Sequence, residues 1–179
     1  CAQQSGAEVV QLGQNQGLGA AVRVGLRIGV ERNAAAVVFC DADGEYPPEE
    51  LANVVAPILD GEADYVIGSR FLGRIDHMRP HRRFGNHVLT RALQLVARQR
   101  ITDGQSGYRA LSFEAARSSE IIHDFNYAQV LTLDLLAKGF RYQEVPISYH
   151  FRTTGESFIK LGRYLRNVVP AVYREINAA

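Results

Sequence analysis

Two short runs rich in valine and isoleucine dominate the first half of the chain, and each stops abruptly at polar residues. Ala34 to Cys40 runs into Asp41-Ala42-Asp43-Gly44, and Tyr65-Val66-Ile67 runs into Gly68-Ser69-Arg70. Runs this short, with apolar side chains on both faces, read as strands of a sheet covered on both sides, a property of parallel sheets. Between them Leu51, Val54, Val55 and Ile58 recur at helical spacing behind Pro47-Pro48-Glu49-Glu50. Proline suits a first helical turn, and carboxylates suit its positive end. Strand, helix and strand with short connections predict an α/β sheet.

The flanking sequence extends this pattern. Val9 and Val10 suggest a short strand, then Gln14-Asn15-Gln16-Gly17 a polar turn, and Leu18, Ala21, Val22, Leu26 and Gly29 a helix. Gly73 to Pro80 reads as a loop, Phe84 to Val96 as an arginine-rich amphipathic helix, and Thr102 to Arg109 as a glycine-punctuated loop. Ala110 to Phe113 is a candidate strand, and Ala128 to Ala137 an apolar helix closed by Gly139. Arg141 to Tyr149 alternates around Pro146 as an edge strand would. Residues 157–177 place Phe158, Leu161, Leu165, Val168, Val169 and Val172 on one face of an amphipathic helix. No repeat or linker interrupts the chain, so residues 1–179 read as one domain.

Composition narrows the class further. A hydrophobic share of 46% with mean hydropathy −0.13 describes a globular core. No run of about 18 uncharged apolar residues exists, so no membrane-spanning helix is expected. Cys1 and Cys40 are too few for a disulfide scaffold, and Cys40 reads as a reduced thiol in a cytosolic core. The chain opens on Cys1 without a signal-peptide pattern, which reads as a processed chain or a fragment.

The net charge of +1 hides a sharp polarity. Between Arg32 and Arg70 there is no basic residue, while Asp41, Asp43, Glu45, Glu49, Glu50, Asp60, Glu62 and Asp64 all fall there. From Arg70 to Arg100 the only acid is Asp76, among Arg70, Arg74, Arg79, Arg82, Arg83, Arg91, Arg98 and Arg100. Two readings stay open: solvated helix surfaces of opposite sign, or a cation site beside an anion site. The arginine-rich stretch has few aromatics and no recognition motif, so no nucleic-acid partner is expected.

In an open α/β sheet, ligands gather at the carboxyl ends of parallel strands. Asp41 and Asp43 lie two apart at such an end, and Gly44 permits a turn that brings Glu45 near. Crowded carboxylates repel unless a cation lies between them, and Mg²⁺ or Mn²⁺ takes such oxygen ligands. The alternative is a surface turn with solvated acids. Asn15-Gln16-Gly17-Leu18-Gly19 lacks a phosphate-loop lysine, and the histidines show no metal-ligand spacing. Asp103 to Arg109 puts a carboxylate, a hydroxyl and a guanidinium on one loop. That loop suits either a sugar or phosphate contact or a bracing Asp–Arg pair. Neither Ser69 nor Cys40 has an adjacent histidine base, which argues against nucleophilic hydrolysis.

In order, these segments resemble family 2 glycosyltransferases of the dolichol-phosphate-mannose-synthase type. The matching pieces are Asn15-Gln16-Gly17-Leu18-Gly19-Ala20-Ala21, Asp41 to Glu49, Gly68-Ser69-Arg70-Phe71, Arg83, Asp103 with Ser106-Gly107-Tyr108-Arg109, Glu144-Val145-Pro146-Ile147, and Arg152 before Gly155-Glu156-Ser157. The resemblance implies a GT-A-like fold with a mostly parallel sheet flanked by helices. It implies metal-dependent, inverting transfer of a mannose- or glucose-type sugar from a nucleotide diphosphate sugar to a polyprenyl or dolichyl phosphate. Asp41, Asp43 and Asp103 are then the catalytic residues, and Asp41, Asp43 and Glu45 hold Mg²⁺ or Mn²⁺. Substrate contacts fall to Ser69, Arg70, Arg83, Ser106, Arg109, Arg152 and Ser157.

Two departures accompany the resemblance. The first strands of the family's nucleotide pocket are not found before Cys1, so the domain is expected to be incomplete at its amino end. The family's Ser-Lys pair becomes Ser157-Phe158-Ile159-Lys160. The apolar face and arginines of residues 157–177 suit peripheral contact with the cytosolic membrane face, or packing on the domain. Two rival functions remain at this level: a sugar nucleotidyltransferase, and a non-catalytic sugar-binding remnant of a glycosyltransferase.

Overall fold

The computed structural model describes residues 2–121 and 127–151 of the 179. In chain order the elements are α1 (Leu18–Glu31), β1 (Ala36–Phe39), α2 (Leu51–Leu59), β2 (Tyr65–Ser69), α3 (Pro80–Ala97), β3 (Arg109–Ser112), α4 (Phe113–Ser118), α5 (Tyr127–Ala137) and β4 (Tyr142–Pro146). The 3₁₀ turn Pro48–Glu50 leads into α2, with proline in the first turn as the sequence predicts.

The four strands form one mixed sheet in the order β1-β3-β2-β4. β3 is antiparallel to both β1 and β2, whereas β2 and β4 are parallel. Three strands therefore run one way, as a mostly parallel sheet requires, with a reversed strand inserted between two of them. Nothing in the apolar pattern of the strands specifies this insertion. Its consequence is geometric: the segment entering β3 reaches the same end of the sheet at which β1, β2 and β4 leave it.

Both faces of the sheet are covered, which explains the apolar runs. Along β2, Tyr65 and Ile67 face a cluster with Val22, Leu26, Leu111, Ala115, Leu131 and Leu135 from α1, β3, α4 and α5. The intervening Val66 faces the opposite cluster, with Val54 and Ile58 of α2, Ala110 of β3, and Tyr108, Ile147 and Tyr149. The period-two alternation of a strand thus feeds two cores. Leu93 of α3 joins Ile101 and Leu133 of α5 in a third.

Several boundaries differ from the sequence expectation. Val9 and Val10 form no strand; both are exposed, at 39% and 50%, and β1 pairs only with β3 among the described residues. The helix expected from Phe84 starts at Pro80, because proline is tolerated at a first turn where the missing N–H costs nothing. The strand expected to end at Phe113 stops at Ser112, whose hydroxyl accepts from Ala115 N (3.2 Å) and caps α4. Residues 157–177, including Ser157, and Arg152 lie outside the described residues.

Candidate active site at the carboxyl end of the sheet

Four segments meet at this end: the turn after β1, the turn after β2, the loop entering β3, and the segment after β4. Register explains the meeting, since Arg109 pairs with Phe39 on one side and Ile67 on the other. Asp41, Arg70 and Asp103 to Tyr108 all lie just beyond that row.

Asp41 is half-buried, and it backs directly onto Gly107. A Cβ at residue 107 would collide with the Asp41 carboxylate, which would have to swing aside to make room. Burial above all, then the carboxylates of Asp43 and Glu45, pushes the Asp41 carboxyl above its ordinary range, while Arg109 and Arg70 pull it down. Asp43, also half-buried, accepts the Glu45 amide at 3.1 Å, and Gly44 between them sits at φ 78°. The acid triplet is therefore a folded turn rather than a solvated surface.

Glu45 is in contact with α3. It is buried, and its Oε1 accepts from Arg82 Nη1 at 3.2 Å. Arg82 Nη1 also donates to the Tyr149 hydroxyl at 3.2 Å, and the Glu45 carbonyl accepts the His150 amide at 2.9 Å. Among the described residues no group of at least three His, Cys, Asp or Glu side chains converges as a metal cage. Glu45 thus lies close enough to raise the Asp41 carboxyl while its Oε1 is engaged by Arg82 of α3.

Arg70 and Asp103, expected in separate roles, are paired with each other. Arg70 Nε and Nη2 donate to the two Asp103 oxygens at 2.6 and 2.7 Å, and Arg70 N donates to Oδ2 at 3.1 Å. Arg70 is 3% exposed and stacks against the Tyr149 ring, 5.5 Å from its centroid. The loop carrying Asp103 is held from behind by Glu144 of β4, whose carboxylate accepts the Thr102 and Asp103 amides at 2.8 and 2.9 Å. Ser69, also buried, hydrogen-bonds the Thr102 hydroxyl at 2.6 Å.

Arg109 lies fully buried beneath this layer. Its guanidinium donates to the carbonyls of Ser106 (2.7 Å), Ala128 (2.8 Å) and Gly104 (3.0 Å), to Thr132 Oγ1 (3.0 Å), and to the Tyr65 hydroxyl. Ser106 is buried as well, and its hydroxyl accepts the Tyr108 amide at 3.3 Å. These bonds make Ser106 and Arg109 the frame of the loop rather than its outer surface. Arg83 is exposed on the first turn of α3. The Asp–Arg brace considered for this loop exists, but its arginine is Arg70.

Residues 1–119 match the family described as Glycosyl transferase family 2. The chain belongs to that family. Among curated glycosyltransferases, a UDP-N-acetylglucosamine–dolichyl-phosphate N-acetylglucosaminyltransferase of Methanococcus voltae is 34% identical over 139 residues, 75% of this chain and 55% of that protein. An undecaprenyl-phosphate mannosyltransferase of Micrococcus luteus is 30% identical over 147 residues, 79% of this chain and 60% of that one. The chain spans little more than half the length of these relatives. In fold it is similar to glucosyl-3-phosphoglycerate synthase from Mycobacterium tuberculosis in complex with Mn²⁺, UDP and glucosyl-3-phosphoglycerate. The TM-score is 0.72 at 20% identity, over 98% of this chain and 63% of that one. The α/β fold is thus of the GT-A type.

Within this glycosyltransferase fold, Arg82, Tyr149 and Glu144 reach the site without having been singled out for it. Arg82 sits beside the anticipated Arg83, and only the helical phase of α3 separates the inward from the outward residue. Tyr149 and Glu144 lie on the segment read as an edge strand, whose spacing revealed alternation but not its neighbour, β2.

Proposed function

We propose that the chain is the catalytic domain of an inverting glycosyltransferase acting at the cytosolic membrane face. It moves a mannose- or glucose-type sugar from a nucleotide diphosphate donor to a polyprenyl or dolichyl phosphate. The observation that carries the reading is the folded Asp41–Asp43 turn at the end of β1, half-buried against Gly107 with the buried Arg70 and Arg109 nearby. The names of the curated relatives supply the acceptor class.

The donor set fits a hard divalent ion. Burial first, and then the neighbouring carboxylates, raise the Asp41 carboxyl, and a bound cation relieves both. Asp41 and Asp43 would hold Mg²⁺ or Mn²⁺, with Glu45 oriented behind them by Arg82. When bound, the ion supplies charge neutralisation for a leaving diphosphate. Arg83 and Arg152 are assigned to the acceptor phosphate, which as an anion at neutral pH needs no protein base. Ser157 is assigned to the acceptor side with them. Asp103 acts by holding Arg70, and Ser69, Ser106 and Arg109 act by fixing the loop around it.

The test is turnover of a nucleotide-sugar panel by the full-length protein with a polyprenyl phosphate, with and without Mn²⁺. Mn²⁺-dependent release of a nucleoside diphosphate and formation of a glycosyl phospholipid are expected. Metal-independent donor binding with no turnover would instead support a non-catalytic remnant, and pyrophosphate formation a nucleotidyltransferase.

A further inference from the structure

The segment Glu144-Val145-Pro146-Ile147 stands out in the sequence, and no step of the proposed transfer uses it. Its acid breaks a pattern. Tyr142 and Glu144 of β4 sit beside Tyr65 and Ile67 of β2, so all four lie on one face of the sheet. Tyr65 and Ile67 belong to the apolar core on that face, and Tyr142 packs against it. Alternation therefore calls for a further apolar side chain at position 144, where a carboxylate is costly unless it is fully engaged.

The Glu144 carboxylate is engaged by one short stretch of backbone. Its Oε1 accepts from Thr102 N and Asp103 N, both at 2.9 Å, and Oε2 accepts from Thr102 N at 2.8 Å. Successive amides turned toward one anion form a nest, an arrangement by which backbone grips phosphate. Here the anion comes from the protein's own sheet. Asp103 is thereby held at both ends: its amide by Glu144, and its carboxylate by the Arg70 guanidinium at 2.6 and 2.7 Å. From Gly104 onward the loop has other anchors, Thr90 on the Gly104 amide and Arg109 on the Gly104 and Ser106 carbonyls. Its entry at Thr102 and Asp103 depends on Glu144, with Ser69 bonded to the Thr102 hydroxyl at 2.6 Å.

We propose that Glu144 is a positioning residue for the candidate site: it fixes Asp103 through the amide nest, and through Asp103 it fixes the Arg70 guanidinium. Arg70 stacks on Tyr149, 5.5 Å from the ring centroid, and Tyr149 meets Tyr46 of the turn after β1, 6.2 Å between centroids. A displacement of Arg70 is therefore felt at the acid turn. The value of this for catalysis rests on the function proposed above, in which Arg70 lies beside the Asp41–Asp43 turn. The hydrogen-bond chain itself does not, and it is read without turnover.

Hydrogen exchange followed by NMR in the full-length protein reads the chain at the Thr102 and Asp103 amides and the Arg70 Nε–H. The Tyr65 and Leu111 amides of the sheet are the references for global opening. Glu144→Ala should lower protection at the first three groups by about tenfold more than at the references, since two amides lose their acceptor. Glu144→Gln should stay within about threefold of the parent, because Oε1 alone reaches both amides. Glu144→Asp keeps the charge but is one methylene short, so it should resemble alanine, and it serves if the alanine variant does not fold. Mn²⁺-dependent binding of a nucleoside diphosphate, measured by calorimetry, should weaken in the same order. Equal losses at Arg70 and at the references would reduce Glu144 to a stability residue, and rescue by aspartate but not by glutamine would make it a bare charge. Either result overturns the inference. A parent that binds no nucleotide would count against the function proposed above, while exchange at Arg70 still decides the positioning role.

Discussion

Asp103 closes both carboxylate oxygens on the guanidinium of Arg70, at 2.6 and 2.7 Å, with Arg70 only 3% exposed and Asp103 wholly buried. The contact joins the turn after β2 to the loop entering β3, segments 33 residues apart in sequence. A bidentate pair in a desolvated setting has good geometry but only modest net value, because both ions lost their water. Breaking it from one side is another matter. Asp103→Leu should destabilise the fold by about 3–5 kcal/mol, since Arg70 stays charged and buried without its counter-ion. The double variant Asp103→Leu with Arg70→Met should recover a large part of that loss. Urea denaturation of the parent, the two single variants and the double variant measures the coupling, and additive losses would show that the pair is not the unit described.

Gly107 is the point at which backbone geometry and site chemistry meet. Any side chain there strikes the Asp41 carboxylate, whereas the surrounding loop is anchored by Ser106, Arg109 and Glu144 rather than by Gly107 itself. Gly107→Ala is therefore expected to displace Asp41 while leaving the sheet intact. Mn²⁺-dependent nucleotide binding should fall at least as far as in Asp43→Ala, with an unchanged far-ultraviolet spectrum. Calorimetric titration with nucleoside diphosphate, with and without Mn²⁺, reads the effect, and parental affinity would refute the contact.

How much of this was legible beforehand follows from what each pattern encodes. The runs at Ala34 to Cys40 and Tyr65 to Ile67 announced strands because burial on both faces leaves no polar positions to confuse the period. Asp41 and Asp43 were legible as a pair because both lie on one short turn. Pairings between distant segments were not. Nothing local in Arg70 or Asp103 distinguishes a phosphate-binding arginine from one saturated by a buried carboxylate; that depends on β3 inserting between β1 and β2. Val9 and Val10 misled for the converse reason, as a β-branched pair becomes a strand only where a partner edge accepts it.

Arg109 should be intolerant of lysine. Its donors span the Ser106, Gly104 and Ala128 carbonyls together with two hydroxyls, a fork that a single ammonium with three donors does not reproduce. Arg109→Lys is expected to cost about 2–4 kcal/mol, the penalty of leaving one or two buried carbonyls unpaired. A shift in the urea midpoint with an unchanged slope is the signature of that loss. A variant as stable as the parent would mean that solvent reaches this layer.

Adjacent arginines on α3 should behave as opposites, because the helix turns one inward and the other out. Arg82 binds Glu45 and Tyr149, so Arg82→Ala removes the charged partner among those that hold a buried carboxylate. That variant should unfold at lower urea, and it lets Glu45 approach Asp43. Arg83 is exposed and meets no carboxylate among the described residues, so Arg83→Ala should change stability by no more than about 0.5 kcal/mol. Its expected loss is instead in KM for a phosphate-bearing acceptor, with kcat for the donor's slow hydrolysis unchanged. Glu45→Gln completes the comparison. If Arg82 holds Glu45 back from the cation, Glu45→Gln should weaken Mn²⁺ far less than Asp43→Asn does, while lowering stability more. Equal losses of Mn²⁺ affinity in the two variants would place the Glu45 carboxylate on the ion and Arg82 in a merely supporting position.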